Sequence, residues 1–92
     1  MNAPMTKTDE IILFLHNTPE YPGNKTSLIK MINISLDKLS TAIRELVKLG
    51  VIKYETIDGR SRRPYLTNKG EILAEQIQLY YQSWAEVLNN DS

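Results

Sequence analysis

The stretch from residue 58 to residue 70 constrains the possible fold more than any other part of the chain. It begins with Asp58-Gly59, a dipeptide typical of β-hairpin turns, because glycine adopts positive φ without penalty and aspartate tolerates it. Alternating residues at 51–57 predict the strand before this turn, and Pro64 is suited to begin a short return strand that ends at Leu66. The pattern therefore predicts a two-stranded hairpin that leads straight into a helix.

Three of the four arginines in the chain, Arg60, Arg62 and Arg63, fall within this predicted hairpin. A cationic hairpin tip has two interpretations. It is either a solvated polar loop or a probe for the phosphate backbone or the minor groove of DNA. The hairpin alone leaves both open, and the rest of the chain has to decide between them.

The charge of the chain is unevenly distributed, although its formal net charge is zero. Residues 35–70 carry eight basic and four acidic side chains, a local net charge of +4, whereas residues 71–92 carry four acidic and no basic side chains. Attraction to phosphate depends on the local patch rather than on the total. The basic middle segment is therefore compatible with DNA binding.

The length of 92 residues predicts a single small domain, residues 1–92. The chain has no cysteine and one histidine, so disulfides and thiolate metal sites are excluded, and neither a metal nor a cofactor is expected. No apolar run approaches the ~20 residues of a membrane span, and no signal-like apolar core follows Met1. We therefore expect a cytoplasmic protein without a membrane partner, associated with the nucleoid if it binds DNA.

Apolar residues at helical spacing predict four helices around the hairpin, so the expected fold class is mainly α with a small β-hairpin (α+β). Helix 1 is expected to start at an N-cap of Thr6 or Thr8, and helix 2 to occupy about 25–33. Ser35 is the predicted N-cap of helix 3, and Gly50 its left-handed end. Two helices around a short break, the second with a polar outer face, predict a helix-turn-helix.

The last predicted helix, 68–89, follows the helix-turn-helix and hairpin segment at 8–67. Five of its apolar residues are spaced four, three, four and three apart, which is the heptad pattern of a left-handed coiled coil. Such a helix either packs on the core of its own domain or pairs with a second copy. Because a helix of ~20 residues is about 30 Å long, its far half would be exposed in a monomer, so we expect a two-fold homodimer. The predicted interface residues are Leu73, Ile77, Tyr80, Tyr81, Trp84 and Val87.

Two motifs, taken with this order of elements, resemble winged helix-turn-helix DNA-binding proteins. Leu49-Gly50-Val51-Ile52 resembles the junction between the recognition helix and the wing. Asp58-Gly59-Arg60 followed by Leu66-Thr67-Asn68-Lys69-Gly70 resembles the wing signature of MarR-type regulators, much of which PadR- and ArsR-type regulators share. The small size and terminal helix look most like the short archaeal, archaeal-virus or plasmid winged-helix proteins. The resemblance covers residues 8–88.

The resemblance implies that helix 3 enters the DNA major groove and that the hairpin is a wing. In the wing, Asp58 would orient Arg60 into the minor groove, while Arg62 and Arg63 would hold flanking phosphates. The candidate major-groove contacts are Ser35, Lys38, Ser40, Thr41 and Arg44. The further candidate phosphate contacts are Lys25, Thr26, Ser27 and Lys48.

Together these features predict a homodimeric transcription regulator that binds specific double-stranded DNA. Two alternatives stay open, namely a non-specific architectural or segregation DNA-binding protein and a winged helix that binds other proteins. An enzyme is not expected, because the sequence shows no nucleophile–base pair, metal cluster or phosphate-binding glycine loop, and no catalytic residue is assigned.

Overall fold

The structure, a computed structural model, describes residues 6–18, 25–56 and 62–89. Within these residues four helices surround one antiparallel hairpin, so the predicted fold class is confirmed. In chain order the elements are α1 (Lys7–Asn17), α2 (Lys25–Ile32), α3 (Leu36–Lys48), β1 (Ile52–Thr56), β2 (Arg62–Leu66) and α4 (Asn68–Asn89).

Hydroxyl side chains cap α1 and α3. Thr6 Oγ1 accepts the backbone N–H of Asp9 at 3.1 Å, and Ser35 Oγ accepts that of Lys38 at 3.3 Å. Each cap satisfies a backbone donor that a helix leaves without a partner at its N-terminus, which contributes about 1 kcal/mol. Both helix starts agree with the sequence prediction, with Thr6 rather than Thr8 as the cap.

The turn between α2 and α3 depends on Asn33, whose φ of 59° lies in the left-handed region that asparagine tolerates better than most residues. The next residue, Ile34, is buried and anchors the turn in the core. Gly50 ends α3 with a φ of 77°, as the sequence predicts. Helices α2 and α3 therefore form a helix-turn-helix.

One apolar core joins α1, α2, α3 and the hairpin. Burial of each large apolar side chain stabilises the fold by about 1.5–3 kcal/mol. From α4, Ala74 is fully buried and Ile77 partly, and no described residue after Ala74 is buried. The buried apolar residues are Ile11, Ile12, Leu15, Leu28, Ile32, Ile34, Leu39, Ile43, Leu46, Val51, Ile52, Leu66 and Ala74.

The two strands pair with Thr56 opposite Arg62, so β2 begins two residues before the predicted start at Pro64. That prediction was wrong because it placed the proline first in the strand. Pro64 instead lies in the middle of β2, buried opposite Tyr54. Both strands of a two-stranded sheet are edge strands, where a residue without an N–H is tolerated.

Thr67 and Gly70 join the start of α4 to the end of α3. The Thr67 hydroxyl donates to the Gly50 carbonyl at 2.5 Å and accepts the N–H of Gly70 at 3.1 Å. Gly70 passes so close to Val51 that an added Cβ would lie 2.3 Å from the Val51 carbonyl oxygen. The need for close packing therefore accounts for a glycine in the first turn of this helix.

Helix α4 extends well beyond the core. Its 22 residues span about 33 Å, and the molecule measures 54 × 26 × 22 Å along its principal axes. The start of α4 thus belongs to the domain core, and after Ala74 the helix lies at the surface, with Ile77 still packed against the core.

Candidate nucleic-acid interface

Helix α3 presents a polar face to solvent because its buried apolar residues lie together on the opposite side. Leu39, Ile43 and Leu46 form the buried stripe. Of the predicted contact residues, Ser40 is half-buried on the flank of the helix. The exposed ones are Ser35, Lys38, Thr41, Arg44 and Lys48.

The exposed face of α3 carries both signs of charge. Asp37 and Glu45 are exposed beside its basic residues, and Glu45 Oε1 lies 3.8 Å from Lys48 Nζ. Exposed pairs of this kind contribute at most about 1 kcal/mol, so Lys48 can exchange this partner for a phosphate. Mixed charge of this kind favours contacts at defined positions over uniform attraction to phosphate.

The two described arginines of the hairpin contact different residues of β1. The guanidinium of Arg62 lies 4.6 Å from the centre of the Tyr54 ring. Burial raises the pKa of Tyr54 above its usual value, and the positive charge of Arg62 opposes this to a smaller extent. Arg63 donates from Nη2 to Glu55 Oε2 at 2.5 Å. Each arginine therefore has a partner within the hairpin itself.

Asp58 and Arg60, the predicted minor-groove pair, lie outside the described residues. The side chains of Lys25, Thr26 and Ser27 also lie outside them, although α2 begins at Lys25 as predicted. These five assignments stay predictions.

Helix α4 carries an exposed apolar face between Leu73 and Val87. Val87 is 69% exposed, Tyr80 55%, and Leu73 and Trp84 37% each. The Tyr80 ring meets those of Tyr81 and Trp84 edge-on, with centroids 5.0 Å and 6.3 Å away. Tyr80, Trp84 and Val87 line an apolar cleft of about 320 Å³. This face has the composition of a protein-binding surface.

Two of the six predicted interface residues also contact parts of their own chain outside α4. Ile77 packs against the core. Tyr81 donates its hydroxyl to Asp9 Oδ2 at 2.8 Å and so ties α4 to the first turn of α1. This hydrogen bond raises the pKa of Tyr81, because only the neutral phenol can donate it. Tyr81 thus helps to hold α4 on its own domain.

Sequence reasoning missed three partners that matter for this geometry. His16 Nδ1 lies 2.6 Å from Glu71 Oε2 and links the end of α1 to the first turn of α4. These residues are 55 positions apart, and no motif connects them. Tyr54 and Glu55 were also missed, because only the strand register brings them to Arg62 and Arg63.

In the described ranges, no helix combines the length and the apolar character needed to cross a membrane. The same residues contain no group of three or more histidine, cysteine, aspartate or glutamate side chains placed to hold a metal ion.

The helix-turn-helix, the hairpin and the long final helix define a winged-helix fold. MepR of Staphylococcus aureus, a transcription regulator of the multidrug efflux pump MepA, matches it with a TM-score of 0.85 at 15% identity, over 96% of this chain and 65% of MepR. SSV1 F-93 gives a TM-score of 0.67 at 22% identity, over 95% of this chain and 99% of F-93. The adhesin competence repressor AdcR of Streptococcus pyogenes gives a TM-score of 0.73 at 24% identity, over 92% of this chain and 63% of AdcR.

This chain therefore spans less than two thirds of the length of MepR and of AdcR, and nearly all of F-93. No protein-family model matches the sequence, and no curated protein does. The predicted resemblance to winged-helix proteins is confirmed by the shared fold.

Proposed function

We propose that this chain is a homodimeric transcription regulator that binds specific double-stranded DNA, with α3 in the major groove and the arginine hairpin in the minor groove. One observation carries the proposal, namely that α3 exposes a polar face with basic residues while its opposite side is buried in the core. The hairpin packs beside α3. The fold shared with the transcription regulator MepR supports it. A cytoplasmic, nucleoid-associated protein without enzymatic activity is the corresponding expectation.

The residues of α3 suit the major groove in size and chemistry. Its 13 residues span about 20 Å. The major groove of B-form DNA, about 12 Å wide, admits an α-helix, whose diameter with side chains is about 10–12 Å. Arg44 can donate two hydrogen bonds to one guanine, whereas Lys38 and Lys48 suit phosphate oxygens better. Thr41, one turn before Arg44 on the same exposed side, adds a hydroxyl that can contact a base or a phosphate.

Arg44→Ala tests base recognition directly. It should weaken binding to the preferred duplex by ~1–3 kcal/mol and remove the preference at one base pair. Lys30→Ala is the matched control, because it removes one exposed positive charge on α2 outside the proposed contacts. Fluorescence anisotropy measures the affinity of both protein variants for the preferred duplex and for duplexes with single-base changes. Equal losses for Arg44→Ala on every duplex would contradict a base contact by Arg44.

The proposed dimer forms through a second copy of α4. Leu73, Tyr80 and Val87 are seven residues apart, as are Ile77 and Trp84, so both rows lie along one side of the helix. A self-complementary row of this kind is covered most simply by its own two-fold copy. Such a dimer would present two α3 helices to half-sites one DNA turn, or a multiple, apart.

Trp84→Ala tests the dimer. A truncated aromatic at the centre of an interface weakens association by about 2 kcal/mol, or ~30-fold in the dissociation constant. Gln82→Ala, an exposed polar position on the same turn of α4, should leave the constant unchanged. Sedimentation equilibrium over a range of protein concentrations measures both variants. A wild-type protein that stays monomeric throughout would contradict the dimer.

The acidic residues on α3 support a second candidate function, the binding of another protein. Asp37 and Glu45 would face DNA phosphates at unfavourable distances if α3 lay deep in the groove. A protein partner with basic residues would instead be attracted to them. Binding to that partner should survive the loss of the three hairpin arginines, Arg60, Arg62 and Arg63, which DNA binding should not. A non-specific DNA-binding protein would bind random and selected duplexes equally well.

A further inference from the structure

The hairpin places its two described arginines in different surroundings. Arg62 and Arg63 are consecutive in β2, so their side chains leave the sheet on opposite faces. They have the same charge and the same length, and the resemblance to winged-helix proteins implies phosphate contacts for both. Their contacts and burial separate them.

The side chain of Arg63 is largely covered. Only 24% of it is exposed, and its Nε is shielded from solvent. It pairs with Glu55 directly across the hairpin and lines a narrow cleft with Leu15 and Thr18 at the end of α1. A charge-assisted hydrogen bond of 2.5 Å between facing strands joins β1 to β2 at the place where the hairpin meets α1.

Arg62 is exposed and is supported rather than covered. Its guanidinium carbon lies over the Tyr54 ring, 4.6 Å from the ring centre, which is a cation–π contact. The five N–H donors of the guanidinium leave some available for hydrogen bonds to another group. The contact also restricts the side chain, so less rotational freedom is lost when it meets a phosphate.

From these differences we infer that Arg62 is the phosphate contact of the wing base and that Arg63 is a positioning residue, which acts through Glu55 to hold the hairpin against the domain. This inference rests on the proposed function and replaces the equal roles that the sequence suggested. Tyr54 holds the Arg62 side chain in place. Glu55 contributes to DNA binding only by holding Arg63, and it makes no contact with DNA itself.

Arg62→Gln and Arg63→Gln are a matched pair, because each removes one charge from adjacent positions. Binding to duplex DNA of random sequence is measured over a series of salt concentrations. Each phosphate contact contributes about 0.9 to the slope of log K against log salt. Arg62→Gln should reduce the slope by about 0.9, whereas Arg63→Gln should lower affinity by the same factor at every salt concentration and leave the slope unchanged.

A double-mutant cycle tests the positioning role. Glu55→Gln and Arg63→Gln should each weaken DNA binding, and the double variant should be no weaker than either single one. The reversed pair, Glu55→Arg with Arg63→Glu, should restore affinity, since it rebuilds the contact with the charges exchanged. Circular dichroism confirms that each variant is folded at the temperature of measurement.

Two results would overturn the inference. A slope reduced by about 0.9 in Arg63→Gln, with tighter binding in Glu55→Gln, would make Arg63 a phosphate contact that Glu55 restrains. Failure of the reversed pair to restore affinity would remove the positioning role. If the wild-type protein bound no duplex DNA, the proposed function would fail instead, and urea unfolding of the same four proteins would still show whether residues 55 and 63 are coupled.

Discussion

Replacing Gly70 with alanine tests the junction that orients α4 on the rest of the domain. Helix propensity alone predicts stabilisation by up to about 1 kcal/mol, because alanine is the better helix former. The structure predicts the opposite. An added Cβ would lie 2.3 Å from the Val51 carbonyl oxygen and 3.1 Å and 3.2 Å from two carbons of Leu66.

The magnitude follows from the movement that this contact requires. Because Cβ contacts below 3.0 Å essentially do not occur, the carbonyl or the helix must move by about 0.7 Å, the difference between 3.0 and 2.3 Å. The Val51 carbonyl also accepts the N–H of Thr67 at 3.0 Å, and this bond would be disturbed. Overpacking costs ~1–3 kcal/mol and a weakened hydrogen bond about 1 kcal/mol more. After the helix-propensity gain, we expect a net loss of about 1–3 kcal/mol, which lowers Tm by roughly 4–24 °C.

Urea unfolding followed by circular dichroism measures this loss. Wild type and variant are compared at one protein concentration, because a dimer makes apparent stability depend on concentration. Ala85→Gly, at an exposed position of the same helix, is the control and should lose about 1 kcal/mol through helix propensity alone. If Gly70→Ala were neutral or stabilising while the control behaved as expected, the close approach of α4 to Val51 would be refuted.

Substitutions at three further positions test local features. Asn33→Ala should lose about 1 kcal/mol more stability than Asn33→Gly, because alanine is strained at a φ of 59°; equal urea midpoints would contradict the left-handed turn. Ser35→Ala removes the cap on the Lys38 N–H and should cost about 1 kcal/mol, and an unchanged midpoint would exclude the cap. In Tyr81→Phe, spectrophotometric titration should lose a phenol that ionises above its usual pKa of 10.0. Because the folded-state pKa is raised, the hydrogen bond to Asp9 stabilises below pH 10.0 and is lost as the pH rises through the raised pKa. The stability of Tyr81→Phe and wild type should therefore converge at alkaline pH, and a constant difference would contradict this.

Short-range chemistry explains why much of the fold could be predicted from the sequence. The Ser35 cap and the left-handed Gly50 each depend on a few neighbouring residues, so both ends of α3 were predicted correctly. Helical spacing predicts a buried stripe of Leu36, Leu39, Ile43, Leu46 and Val47, of which Leu39, Ile43 and Leu46 are buried, whereas the prediction for Leu36 and Val47 was wrong because both are exposed. The exposed face that carries Arg44 is the complement of that stripe, and it was predicted for the same reason.

The partners of the hairpin arginines could not be predicted, because they depend on a register that a single residue changes. A two-residue loop at Asp58-Gly59 would place Glu55 opposite Arg62, whereas the observed pairing places it opposite Arg63. One step of register therefore exchanges the surroundings of the two arginines.

Contacts between distant parts of the chain could not be predicted from the sequence for a different reason. Tyr81 and Asp9 are 72 positions apart, and His16 and Glu71 are 55 apart. Tyr81 was assigned to the dimer face because its apolar ring widens the heptad row. Its hydroxyl hydrogen-bonds to Asp9 because the packing of α4 on α1 brings the two residues together. That packing is tertiary structure and leaves no local pattern in the sequence.

Selection of bound duplexes from a random DNA pool at physiological salt tests the central claim most directly. A homodimeric, sequence-specific regulator should enrich a palindromic sequence with half-sites one helical turn or a multiple apart, and Arg44→Ala should lose the preference at one position of each half-site. Enrichment of a single half-site would retain DNA recognition and contradict the α4 dimer. Recovery of random sequences only, or of none, would contradict a sequence-specific regulator.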